Sequence, residues 1–175
     1  MANQTAADLS VKPADHVTKY RRIVTAHDEN GNAYFAEDKI CENAFCMAGM
    51  PDFVSTELWR MEETPADNNG KYEDPAKEFI LNPPAAGNVI RMLEIPPLKK
   101  DAPPTVHRTP SLDYAIVIKG KTVAILEEGV ETEMEAGDVL IQRGTVHAWD
   151  NRTDEPCIIL FILNAANVIP QLPPR

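Results

Sequence analysis

The sequence predicts an all-β domain, an antiparallel sandwich or barrel, on three observations. Short apolar runs recur from Val89 onward at intervals of about eight to twelve residues, with turn signals between them. Fifteen prolines against eight glycines disfavour long helices and favour short strands with stiff connections. At 175 residues the chain is long enough for one domain with a real core.

Each element can be argued in order. Residues 1–19 read as a polar N-terminal arm, and 20–175 as a single domain. Arg22–His27 reads as a strand and Asp28–Asn32 as a turn, because Asn30-Gly31 tolerates positive φ. Ala33–Ala36 returns, completing an N-terminal hairpin. Phe53–Trp59 is a further strand. Residues 62–87 are polar and proline-bearing and read as a long loop with one helical turn near Pro75–Phe79. A loop of that length in a compact domain is often a lid, and equally a passive insertion.

Val89–Ile95 opens the dense β region. Asp113–Ile118 leads through Lys119-Gly120, read as a tight hairpin turn, into Lys121–Leu126. Glu127-Glu128-Gly129 turns into Val130–Met134, and Ala136-Gly137-Asp138 into Val139–Gln142. His147–Asp150 and Cys157–Leu163 are the last strands. The tail 168–175 reads as extended, packed along the outside. There is no internal repeat and no low-complexity tract.

A net charge of −10 and a pI near 4.8 disfavour nucleic acid as a partner, since counterion release needs a basic face. They equally disfavour an anionic membrane surface. No apolar run approaches the ~20 residues of a spanning helix, and the first residues lack the pattern of a secretory signal. Cys41, Cys46 and Cys157 show no C-x2-C spacing, so neither a disulfide framework nor structural zinc is indicated. Cys157 opens an apolar run and reads as a small buried hydrophobe. The chain is expected to be cytoplasmic.

His107, Asp113 and His147 carry the chemistry. Side chains alternate between the two faces of a strand. His147 therefore shares a face with Trp149, His107 with Thr109, and Asp113 with Ala115 and Val117. Inside a barrel, two imidazoles and a carboxylate are costly to bury unpartnered. A shared divalent cation would satisfy all three. The plainer alternative is ordinary hydrogen bonding, including a direct His107–Asp113 bond. Trp149 reads as pocket wall or core. Arg108 and Arg143 could bind a substrate carboxylate or pair with the acidic surface. Tyr114, His27 and His16 are expected outside the cavity, and Phe35, Phe53 and Trp59 in the core or pocket wall.

With those residues in view, the stretch from about 89 to 163 resembles a cupin. That family has a first motif G-x5-H-x-H-x3/4-E-x6-G and a second G-x5-P-x-G-x2-H-x3-N. Here the second reads Gly137-Asp138, Gly144, His147, Asn151, one residue short between its glycines. Gln142-Arg143 stands where proline is expected. The first reads His107-x-Thr109, Asp113, Gly120. The strings around His107-Arg108-Thr109 and Gln142-Arg143-Gly144-Thr145, with Arg22–His27, are similar to single-domain cupins of fungal secondary metabolism. The resemblance implies a double-stranded β-helix, or jelly-roll barrel, with an N-terminal hairpin and few short helices. It implies that His107, Asp113 and His147 stand at the metal-ligand positions of the family. Thr109 replaces a second histidine of the first motif, so two imidazoles and one carboxylate remain. That set suits Zn²⁺, Fe²⁺ or Mn²⁺, or an empty site with the same residues acting as acid and base. Thr109, Trp149, Arg108 and Arg143 are the substrate-binding candidates. No nucleotide cofactor is expected.

Three functional readings follow. The first is a small-molecule lyase or isomerase, such as a decarboxylase or dehydratase, in which a metal or a histidine base handles the developing charge. The second is a non-haem Fe(II) dioxygenase. The third is a non-catalytic ligand-binding cupin. A homodimer is expected, because pairing sheet edges removes an exposed-edge liability.

Overall fold

The computed structural model describes residues 7–8, 10–98 and 104–169. Twelve strands form nearly all the regular structure: β1 (Ala7–Asp8), β2 (Arg21–His27), β3 (Ala33–Ile40), β4 (Ala44–Met47), β5 (Met50–Met61), β6 (Asn88–Ile95), β7 (Ser111–Lys119), β8 (Lys121–Leu126), β9 (Glu131–Glu135), β10 (Val139–Arg143), β11 (His147–Asp150) and β12 (Cys157–Ala165). The large sheet runs β1-β4-β5-β6-β12-β7-β10, a smaller one β11-β8-β9, and β2-β3 forms a hairpin of its own. All the pairings between these strands are antiparallel.

The two larger sheets face each other across the core, as a jelly roll requires. Ile95, Ala115, Val117, Ile159, Phe161 and Leu163 come from the large sheet. Ala124, Met134 and Trp149 meet them from the small one. The alternation along β7 is plain, with Ser111, Asp113, Ala115 and Val117 buried and Tyr114 exposed. Cys157 is fully buried in this core.

One connection differs from the hairpin expected of it, and a second turn also changes sheet. β7 pairs with β12 and β10, while β8 pairs with β11 and β9. Lys119-Gly120 is therefore a corner where the chain crosses between sheets, and Ala136–Asp138 is another. Gly120 has φ +76°, and a Cβ there would stand 2.7 Å from the Pro156 carbonyl oxygen. Only glycine meets both constraints. The Glu127–Gly129 turn does close a hairpin, β8 to β9.

The N-terminal segment is more than a polar arm. Its β1 pairs with β4, and Val17 is buried against Cys46 and Val54. The Thr18 N–H donates to Glu94 on β6. Residues 1–6 and 170–175, expected as arm and tail, lie outside the described residues.

The 62–87 segment contains no helical turn at Pro75–Phe79; it is irregular apart from an isolated parallel bridge between Glu63 and Ala86 near its two ends. Side chains pin it instead. Arg22 on β2, only 7% exposed, bonds Glu37 at 2.6 Å, Asp74 at 2.6 and 3.0 Å, and the Leu58 carbonyl at 3.0 Å. Tyr72 donates to Glu37, and its ring stacks on Trp59. One buried guanidinium thus ties the hairpin, the segment and β5 together. Phe35, expected in the core, is 73% exposed, because the hairpin turns that face away from the sandwich.

Candidate active site

The open space between the sheets is a cavity of about 300 Å³. Most of its wall is apolar: Phe53, Leu93, Leu98, Trp149, Phe161 and Leu163 all line it. The polar lining, among the described residues, is His107, His147, Asp113, Thr109, Arg91, Ser55 and Thr105. The three residues singled out from the sequence therefore share one chamber.

His107 lies just before β7 and His147 opens β11. Their backbones form an isolated antiparallel bridge, each N–H donating to the other's carbonyl at 2.9 Å. That bridge fixes the rings 4.3 Å apart, centroid to centroid. Each ring places Nδ1 near the carbonyl two residues back, Thr105 at 3.2 Å and Thr145 at 3.0 Å. A carbonyl only accepts, so Nδ1 carries the proton and Nε2 the lone pair. Burial lowers the His107 pKa. Burial, and then the charge of His107, bring His147 down to about 4. Both rings are neutral at pH 7.

Asp113 is 3% exposed. Thr109 Oγ1 donates to its Oδ2 at 3.3 Å, and Ser111 Oγ donates to Thr109 at 2.8 Å. Its Oδ1 is buried without a hydrogen-bond partner. Burial raises the Asp113 pKa, against the lowering effect of Ser111, Thr109 and Arg91. An apolar chamber favours the protonated acid. The plainer alternative of a direct His107–Asp113 bond is not the arrangement seen: Oδ2 accepts from Thr109 and Oδ1 has no partner among the described residues.

Neutral imidazoles with free Nε2 lone pairs suit a divalent cation as two nitrogen ligands. The carboxylate does not complete the set. Among the described residues, no three His, Cys, Asp or Glu side chains are grouped so as to hold an ion.

The remaining candidates separate. Thr109 lines the chamber and supports Asp113. Trp149 is both wall and core, edge-on to His147 and to Phe161. Arg108 and Arg143 instead border a second depression beside residues 166–169. His27 and His16 are exposed and line neither space. Asn151, the last residue of the second motif, is fully buried and donates to the Ile95 and Glu155 carbonyls. It is a structural brace at the end of β11.

The sequence reading passed over Arg91. Its signal was there: Val89, Arg91, Leu93 and Ile95 alternate, so a lone cation stands at an inward position of an apolar strand face. Ser55 was missed for the same reason on β5.

The Cupin domain family model matches residues 91–163. The chain is 30% identical to the cupin-domain-containing oxidoreductase fogC of Aspergillus ruber, over 89% of this chain and 77% of that one. It is 29% identical to oryzines biosynthesis cluster protein J of Aspergillus oryzae, over 90% and 89%. Among solved structures, the Cnp3 cupin domain of Schizosaccharomyces pombe aligns with TM-score 0.50 at 13% identity, covering 85% of this chain and 89% of that one. The fold and chamber define a jelly-roll protein with an internal site. The chain belongs to the cupin family, and its relatives include fungal cupin-domain oxidoreductases and proteins of biosynthetic clusters.

Proposed function

We propose that this cupin is a small-molecule enzyme of the lyase or isomerase type, a decarboxylase or dehydratase of secondary metabolism, working in the chamber between the sheets. One observation carries the reading. Two neutral imidazoles and a carboxyl group with a raised pKa line a single, largely apolar chamber. A neutral Nε2 can take a proton from a substrate held against it, and the carboxyl of Asp113 can return one from Oδ1 to a substrate oxygen. The apolar wall excludes water and strengthens both interactions. Thr109 and Ser111 keep Asp113 oriented. Where a divalent cation is bound, Nε2 of His107 and of His147 would hold it, and it would polarise a substrate oxygen.

The second reading is a non-haem Fe(II) dioxygenase. It is favoured by the name oxidoreductase carried by fogC. Oxygen consumption separates the two. Turnover of a metabolite under strict anaerobiosis without a redox cofactor supports the lyase. Turnover that requires Fe²⁺ and consumes one O₂ per product overturns it.

Self-association as a homodimer belongs to the same reading. β10 is the outermost strand of the large sheet, and Val139 and Ile141 on it are exposed beside Tyr114 of β7. An apolar sheet edge of this kind invites a partner. Residence in the cytoplasm is supported by three buried cysteines that form no disulfide with one another.

A further inference from the structure

Among the described residues, Arg91 is the one cation in the chamber's lining, and its environment says what it is there to meet. It stands on β6 opposite Phe161 of β12 and Glu57 of β5. The residue is 7% exposed. Nη2 donates to the Ile80 carbonyl at 2.6 Å, and the guanidinium lies 5.1 Å from the centre of the Phe79 ring. Both contacts come from the 62–87 segment, which also contributes Leu81 to the chamber wall. Behind Arg91, Glu57 approaches Nε at 3.3 Å. That approach is not a hydrogen bond, and Nε is a buried donor left without one. Glu57 Oε1 accepts from Ser55 instead, at 3.1 Å.

A buried guanidinium matched so loosely by its carboxylate is unusual. A pair built for stability alone takes the bidentate, fully bonded form. Here the segment and the Phe79 ring fix the guanidinium in place, and Glu57 does not line the chamber. Among the described residues, the rest of the wall offers Arg91 little: mainly apolar side chains, the two imidazoles, and Asp113 at longer range.

We propose that Arg91 is the specificity-determining anchor of the chamber, selecting substrates with one anionic oxygen, a carboxylate or an enolate-like oxygen, on an otherwise apolar, ring-sized body. The proposal rests on the chamber being the substrate site, and it names the substrate class. The apolar wall takes the body by burial, and the planar fork of Arg91 takes the oxygen. Such a ligand would give Arg91 the partner its protein neighbours supply only in part. It would also bring the oxygen-bearing end of the substrate under the 62–87 segment, whose Ile80 carbonyl and Phe79 ring hold the anchor.

The test is binding, not turnover, so it stands apart from the lyase reading. The probes are 2-naphthoate and the neutral 2-naphthamide, of nearly equal shape, titrated by calorimetry into the full chain at pH 7. The expected result is that wild type binds the carboxylate roughly tenfold or more tightly than the amide, the range of a charge-assisted hydrogen bond. The double variant Glu57→Gln/Arg91→Met, which removes both charges together, is expected to bind the two probes alike while keeping its affinity for the amide. Arg91→Lys is expected to keep part of the preference. Equal binding of both probes by wild type overturns the proposal, whether or not the double variant folds. So does a folded double variant that still prefers the carboxylate, or wild type that fails to bind 2-naphthoate at millimolar concentration. If turnover is later found to be oxidative while the preference for the carboxylate holds, the anchor stands and only the reaction class changes.

Discussion

His107 and His147 hold each other. Each backbone N–H donates to the other's carbonyl at 2.9 Å, and the two rings stand 4.3 Å apart in the chamber wall. The residues are forty positions apart in sequence, yet this bridge joins the lead-in of one sheet to the edge of the other. It fixes the imidazole pair by main-chain geometry, which a side-chain substitution leaves in place.

The pair can therefore be altered without dismantling the fold. His147→Ala is expected to remain folded, because the bridge uses only backbone atoms. It is expected to lose activity on the chamber's substrate by about a hundredfold or more, the scale of removing a positioned proton carrier. Circular dichroism and a melting curve check the fold, and turnover checks the loss. Full activity in a folded His147→Ala would remove the imidazole from the chemistry.

Metal content follows from the same geometry. Two nitrogen ligands, with no third His, Cys, Asp or Glu grouped with them among the described residues, make an exchangeable site. Protein purified without chelator is expected to release its divalent metal on dialysis against EDTA and to take up Zn²⁺ again, and His107→Ala is expected to retain none. Elemental analysis measures both. Metal that survives EDTA at one per chain would mean that further ligands complete the site.

Stability against acid should track the Arg22 cluster. Burial pushes the Asp74 carboxyl up, but the Arg22 hydrogen bond, the Ala76 N–H, Asn43 and the Arg22 charge outweigh it and bring it to about 2. Glu37 is likewise held low, first by its hydrogen bond to Arg22. A carboxyl depressed on folding contributes stability above its unfolded pKa, near 4, and loses it as pH falls through the folded value. Asp74→Asn is thus expected to lower stability at pH 7 by about 3 kcal/mol and to flatten the fall in stability between about pH 4 and pH 2. Urea melts across that range measure it, and an unchanged acid profile would show that the cluster contributes little.

The sheet-crossing corner gives a purely structural test. Gly120→Ala forces a Cβ to within 2.7 Å of the Pro156 carbonyl oxygen at a left-handed φ. The expected loss is roughly 2–3 kcal/mol, read as a lower urea midpoint with the slope unchanged. Gly129→Ala, also at positive φ but in open space, should lose less, because only the backbone is strained there.

Self-association is expected to give a light-scattering mass near twice the 19.4 kDa of the chain at micromolar concentration. Ile141→Lys, placed on the exposed face of β10, is expected to return it to the monomer mass. A wild-type mass at the monomer value would refute the dimer.

Much of this was legible in the sequence. The strands from Val89 onward announce themselves because each has a buried face with period two, bounded by turn residues. His147–Asp150 has the bounds expected of it. The Lys119-Gly120 corner was misread as a hairpin because a glycine turn looks the same whether the next strand returns beside the last or crosses to the facing sheet; tertiary pairing alone decides. β4 was missed because Ala44–Met47 is four residues long and follows loop-like sequence. Arg22 read as an ordinary strand residue, since nothing local announces that Asp74, fifty-two positions away, will bury it. Arg91 was legible by alternation and was overlooked. Of the expected site, the sharing of one chamber by His107, Asp113 and His147 was readable from strand faces. The protonation of the rings was not, because it depends on carbonyls that only the folded backbone brings near Nδ1.

Long-range ¹H–¹⁵N correlation spectra of the imidazoles, recorded on metal-free protein from pH 6 to 8, test the central claim most directly. The expected result is that His107 and His147 are both neutral throughout with the proton on Nδ1, and that a bound chamber ligand moves their Nε2 resonances. A cationic ring at pH 7, a proton on Nε2, or Nε2 signals indifferent to a bound ligand would contradict a neutral imidazole pair facing the substrate.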